Sequence, residues 1–272
     1  MKILYSDGCS LMAGAEHNSW RINPDTGYEE CDTVWSAILH KNFFQDYTFM
    51  SRATTGSSNY SIARRVVKNV TDLLKTNNAK NIIVCIMWTS MYRRDIRVTQ
   101  EYNPNIHKNS LENNFITLLP TDTKSNLKKS PTGAIANNNT RKTFLEKNNL
   151  FALSNTMYGH LNHPINYTFD SLTQIEYVNL FLKLHDIKSI QCFGFGDHFY
   201  YKNTNDPYER DFYTDNILER IDEYKIYYVD KFPQEGFYEW AKGGHPLGPG
   251  LHPLHQAHQM WVRQLARDYN LG

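Results

Sequence analysis

The chain has 272 residues, 40% hydrophobic and 14% aromatic, which is enough apolar material for a buried core and too much for disorder throughout. Its 29 basic and 28 acidic residues leave a net charge of +1, without the excess that a dedicated nucleic-acid or anionic-membrane binder carries. No window approaches the roughly 18 consecutive apolar residues of a bilayer span, and residues 1–6 lack the apolar core and cleavage site of a signal peptide. The expectation is a protein of the producing cell's cytoplasm, with neither nucleic acid nor membrane as partner.

In chain order, residues 2–5 form a short apolar run that predicts a strand, and a tight turn through Gly8 and Ser10 follows it. A helix is expected over 33–40, a strand over 47–50, and a helix over 60–76 with Ile62, Val66, Val70 and Leu73 on one stripe. Residues 82–88 predict a third strand. The stretch 99–149, rich in Asn, Lys, Thr and Ser, predicts a polar insertion or lid. Beyond it come a helix over 171–185, strands over 190–195 and 226–229, and a closing helix over 253–269. Strands that alternate with helices imply βαβ units in a single α/β domain spanning 1–272, with a mainly parallel sheet whose ligands bind at the strands' carboxyl ends.

Cys9, Cys31, Cys85 and Cys192 show no paired spacing and are too sparse for a disulfide framework, so reduced thiols are expected. Cys85 and Cys192 lie in apolar runs and should pack as small hydrophobes.

Two segments carry chemistry. Ser10 stands where the first strand turns into a helix, so backbone amides there could hold a developing oxyanion and the small Gly8 would admit substrate; the competing role is a simple helix cap. Near the other end, Pro253 suits a first helical turn because its missing N–H needs no partner, and it fixes His252 just before the helix. A neutral imidazole with a pKa near 6.5 can take a hydroxyl proton; the alternative is a surface histidine in a His-rich turn. Cys9 is a second candidate nucleophile.

Gly8, Cys9, Ser10 and Leu11, followed by Gly14, resemble the Gly-Asp-Ser-Leu block of the SGNH (GDSL-like) hydrolases, with Cys9 in place of Asp. Gly56, after the second strand, is similar to the glycine whose amide serves the oxyanion hole in that family, and His252 with Pro253 resembles its final block, His258 matching a later step. The resemblance implies a flavodoxin-like three-layer sandwich with a five-stranded sheet. It also implies a serine esterase acting through an acyl-enzyme on a small-molecule or carbohydrate ester, O-acetyl sugars included, without a cofactor. Variants of this kind are similar to proteins that phages encode. Where the family has an Asn after the third strand this chain has Thr89, so Asn59 or Thr89 is expected to complete the oxyanion hole with Ser10 and Gly56. Where the family has Asp before its His this chain has Pro249, so a Ser-His dyad, or Asp230 as a remote orienting acid, is expected.

Trp88 ends the third strand, Arg93 and Arg94 lie just beyond it, and all three are candidate substrate contacts, the arginines as clamps for an anion; Asp197 and His198 follow the fourth strand at the same edge. His245, His252, His255 and His258 raise a metal site as an alternative, but their three-residue spacing drifts around a helix and no acidic or Cys ligand accompanies them, so no metal is expected. The missing family residues motivate another alternative, a non-catalytic binding or structural protein on the same fold, virion-associated if phage-encoded. The oligomeric state is left open.

Overall fold

The computed structural model describes residues 1–25, 27–97, 115–118, 150–159, 164–202, 222–230 and 234–271, with single positions at 146, 216 and 219. Most of the polar stretch 99–149 thus lies outside the described residues. In chain order the elements are β1 (Ile3–Gly8), α1 (Ser10–Ala13), β2 (Arg21–Ile22), β3 (Glu29–Glu30), α2 (Trp35–Phe43), β4 (Thr48–Ser51), α3 (Asn59–Leu74) and β5 (Ile82–Trp88). They continue with β6 (Arg94–Arg97), β7 (Phe115–Leu118), α4 (Leu150–Gly159), α5 (Pro164–Leu184), β8 (Lys188–Phe193), α6 (Phe237–Lys242) and α7 (His255–Asp268).

The central sheet has the order β4–β1–β5–β8, and every neighbouring pair is parallel. Parallel strands need covered crossovers, and β5, buried along its whole length, reads as an unbroken apolar run. The two-residue period of a strand divides each run between the faces. Ile82, Val84, Ile86 and Trp88 of β5 join Ile3 and Tyr5 of β1 in one cluster with α3 and α5; Ile83, Cys85 and Met87 join Leu4 in the other, with α2, α6 and α7. The result is a three-layer α/β sandwich. Each fully buried large apolar side chain in these clusters contributes on the order of 1.5–3 kcal/mol.

Helix α3 shows how the layers are specified. Ser58 caps it, its hydroxyl accepting the Ser61 N–H, and Ile62, Val66 and Val70 follow at four-residue intervals to make the face that packs on the sheet. On the opposite layer α7 buries Ala257, Trp261, Val262 and Leu265.

The expected fifth strand is a single bridge. Tyr227 pairs in parallel with Cys192, donating to Gln191 O at 2.8 Å and accepting from Phe193 N at 3.0 Å. Two residues later Val229 pairs antiparallel with Glu235, so the chain leaves the sheet before a ladder forms. Among the described residues, no helix is long and apolar enough to cross a membrane.

Candidate active site

Strand β1 ends at Gly8, and the chain turns through extended Cys9 into α1, whose first residue is Ser10. The turn is anchored from below by a buried carboxylate. Asp7 accepts from its neighbour Gly8 N at 2.7 Å, from Tyr5 Oη at 2.7 Å, and from Arg65 Nη2 at 2.6 Å and Nε at 3.1 Å. Arg65 Nη2 also reaches Gly8 O at 3.2 Å. Ser10 is 4% exposed. Among the described residues its hydroxyl makes no hydrogen bond, and the first backbone amides of α1 to find acceptors are those of Met12 and Ala13, both on Cys9 O. Helix α1 stops after one turn because Gly14 takes a left-handed conformation, φ 77°, and a Cβ there would lie 2.4 Å from Cys31 Sγ.

The loop after β4 is laced to this turn. Thr54 N donates to Gly8 O at 3.1 Å, and Gly56, φ 82°, presents an amide with no acceptor among the described residues. The buried carboxylate of Glu29, on β3, accepts Thr55 N at 3.1 Å and Thr55 Oγ1 at 2.5 Å, and also holds Trp20 Nε1 at 3.3 Å. The loop that offers Gly56 is therefore fixed by a side chain from the β2–β3 pair.

His252 stands in the turn before α7. Its Nδ1 lies 3.2 Å from Oε2 of Glu16, and the same carboxylate accepts His252 N at 3.2 Å and Gly250 N. A Cβ at Gly250 would meet that carboxylate, so a larger residue there would displace the Glu16 head group. Glu16 follows Gly14 by two residues and itself takes a left-handed φ of 70°. Burial lowers the His252 pKa, opposed by Glu16 and assisted by Arg93 and His17, so the imidazole is held neutral below its ordinary titration range. His17 supports the turn from behind, its Nε2 donating to Pro253 O at 3.0 Å and its Nδ1 meeting Thr33 Oγ1 at 2.7 Å. Burial pushes the Cys31 thiol up, but hydrogen bonding with His17, Ser19 and Thr33 brings it down to about 7.

No protein-family profile and no curated protein matches the chain. A solved structure described as a member of the lipolytic protein G-D-S-L family from Veillonella parvula DSM 2008 aligns over 97% of this chain and 96% of its own, at 12% identity and a TM-score of 0.37. So loose a superposition carries no weight for activity, and the chemistry rests on the residues themselves.

Ser10, Gly56 and His252 all come to the carboxyl edge of the sheet, Ser10 and Gly56 in loops joined by a hydrogen bond and His252 tied to the chain just beyond α1. Several other expectations are corrected. Asn59 is no oxyanion donor: it is buried, its Oδ1 accepts Thr89 N at 2.8 Å, and its Nδ2 donates to Thr89 O at 3.0 Å and Ser171 Oγ. It clasps the start of the β5 loop instead. Thr89 is buried too, its Oγ1 without a hydrogen-bond partner. Trp88 does not face substrate, because the strand period turns it into the core, where Nε1 donates to Gln191 Oε1 at 2.9 Å. Arg94 is neutralised by Asp170, bonds Tyr60 Oη at 3.0 Å and lies over the Tyr167 ring. Asp230 is exposed, with Gln234 as its hydrogen-bond donor at 3.5 Å, and the carboxylate beside His252 is Glu16.

Asp197 accepts Ser90 Oγ at 2.5 Å and lies 3.2 Å from His198, whose Nε2 meets Ser171 Oγ at 2.9 Å; together they brace the β5 and β8 loops. Cys9 is fully buried in the core. Among the described residues no group of three or more metal-ligating side chains converges. His258 is buried and accepts Trp35 N at 3.0 Å, and His245 stacks on Trp240 at 4.5 Å. A cleft of about 390 Å³ lined by Arg21, Cys31, His40, Phe49 and Arg52 contains neither Ser10 nor His252.

Proposed function

We propose that the protein is a serine esterase working through an acyl-enzyme, with Ser10 as nucleophile, His252 as general base and Glu16 as the acid that orients it. The observation that carries this reading is the carboxylate of Glu16 at 3.2 Å from His252 Nδ1. The contact lies outside hydrogen-bond geometry, so Glu16 acts through its charge, which favours the proton on Nδ1 and leaves the Nε2 lone pair to take the Ser10 proton as the hydroxyl attacks an ester carbonyl. The amides of Ser10 and Gly56, both without acceptors among the described residues, would receive the oxyanion. Each such donor is typically worth about 2.7–4 kcal/mol of barrier. The imidazolium, stabilised by Glu16, returns its proton to the leaving alkoxide. Water then repeats the sequence and releases the acid. Carboxylic esters, O-acetyl groups on sugars among them, are the substrate class.

A non-catalytic binding protein is the second reading, favoured by the engagement of Asn59 with Thr89 and the resulting lack of an amide side-chain donor. One experiment separates the two. A fluorophosphonate probe should label Ser10, and Ser10→Ala should abolish both labelling and hydrolysis of short-chain aryl esters. Folded wild-type protein that neither labels nor hydrolyses would establish the binding reading.

A further inference from the structure

We propose that Arg93 is a subsite for an oxyanionic group, a carboxylate or phosphate, carried by the substrate; this deepens the esterase reading and rests on it for the position of the ester. Arg93 sits half-buried in the loop after β5. Two neighbouring loops fix its head: Nη1 donates to Ser57 O at 3.1 Å, beside Gly56, and the guanidinium lies 5.7 Å from the ring centre of Phe195 beyond β8. Its charge is near enough to His252 to oppose protonation of the imidazole.

Other arginines around this edge have their counter-ions built in. Arg65 is paired with Asp7, Arg94 with Asp170 and Arg64 with Asp95. Arg93 has no carboxylate within ion-pair distance among the described residues, and its Nε and Nη2 have neither a hydrogen-bond partner nor a place among the atoms sealed from solvent. A guanidinium with one edge anchored and the Nε–Nη2 edge open is a fork whose geometry matches carboxylate or phosphate oxygens in pairs. Partial burial of a guanidinium without a counter-ion is unfavourable until such an anion arrives. The chain therefore supplies the cation and leaves the anion to the ligand.

Two matched pairs of esters test this in the intact protein. 4-Nitrophenyl acetate against 4-nitrophenyl hemisuccinate places the charge on the acyl side, and phenyl acetate against 4-acetoxybenzoate places it on the alcohol side. In one pair kcat/KM should favour the charged ester by about tenfold or more, and Arg93→Gln should bring that ratio near one. In parallel, calorimetry on Ser10→Ala protein should detect binding of succinate or phenyl phosphate, weakened about tenfold or more by Arg93→Gln. Hydrolysis with no preference in either pair overturns the inference and leaves the esterase intact. Anion binding that depends on Arg93 without hydrolysis of any ester upholds the subsite and removes the esterase. Anion binding that is absent, or indifferent to Arg93, overturns the subsite.

Discussion

On the proposed esterase reading the chemistry turns on Glu16 and His252, and the sign of their coupling can be measured. Burial places the His252 pKa below its ordinary value, so the acid limb of the rate profile should lie below about 6.5. Glu16 raises that pKa against the effect of burial, so Glu16→Gln should move the limb to still lower pH while cutting turnover roughly a hundredfold or more, because the imidazole loses its orienting charge. A pH–rate series on the variant checks both; a limb that moves upward contradicts the assignment. Ser10 and His252, which remain proposals, were put forward from the sequence because each stands beside a backbone signal, a strand-to-helix turn or a proline. Glu16 was not, because no local spacing relates a residue to one 236 positions away. Trp88 was misjudged because a strand end says where a side chain lies along the sheet but not which face it takes.

At the scale of elements, the small antiparallel pairs matter more than their length suggests. Strands β2 and β3 are two residues each, too short for an alternating pattern to show in the sequence, yet Glu29 on β3 immobilises the loop that presents Gly56. Glu29→Gln would set an amide N–H₂ against donors that need an acceptor. The expected outcome is a fall of about tenfold in fluorophosphonate labelling rate with the melting temperature largely kept; unchanged labelling would show that the Gly56 amide does not receive the oxyanion. Asp95 plays the corresponding part for β6, taking hydrogen bonds from Ser58 and Ser61 at the start of α3 and from Thr117 on β7. Phe115–Leu118 lies within a stretch whose polar composition masks a strand with buried Leu118.

For the molecule as a whole, β5 was found with its observed ends because a strand buried along its whole length is a continuous apolar run, whereas Ser6 and Asp7 in β1 and Lys188 and Ser189 in β8 hid the ends of those strands. The edge was less legible: β-branched and aromatic content over 226–229 does not reveal that Val229 turns away to pair with Glu235. The Asp7–Arg65 pair was hidden as well, since it joins β1 to α3 across the core. Asp7→Asn should leave Arg65 charged and unmatched in the interior and lower the unfolding free energy by about 3–5 kcal/mol, measurable by urea titration. The contact between residues 16 and 252 has a further consequence for biosynthesis. Ser10 is translated well before His252, and a contact of such long range is slow to close. On the proposed esterase reading, a ribosome-bound chain can fold much of its sheet and still hold an inert serine, and competence to react waits on the turn that carries His252.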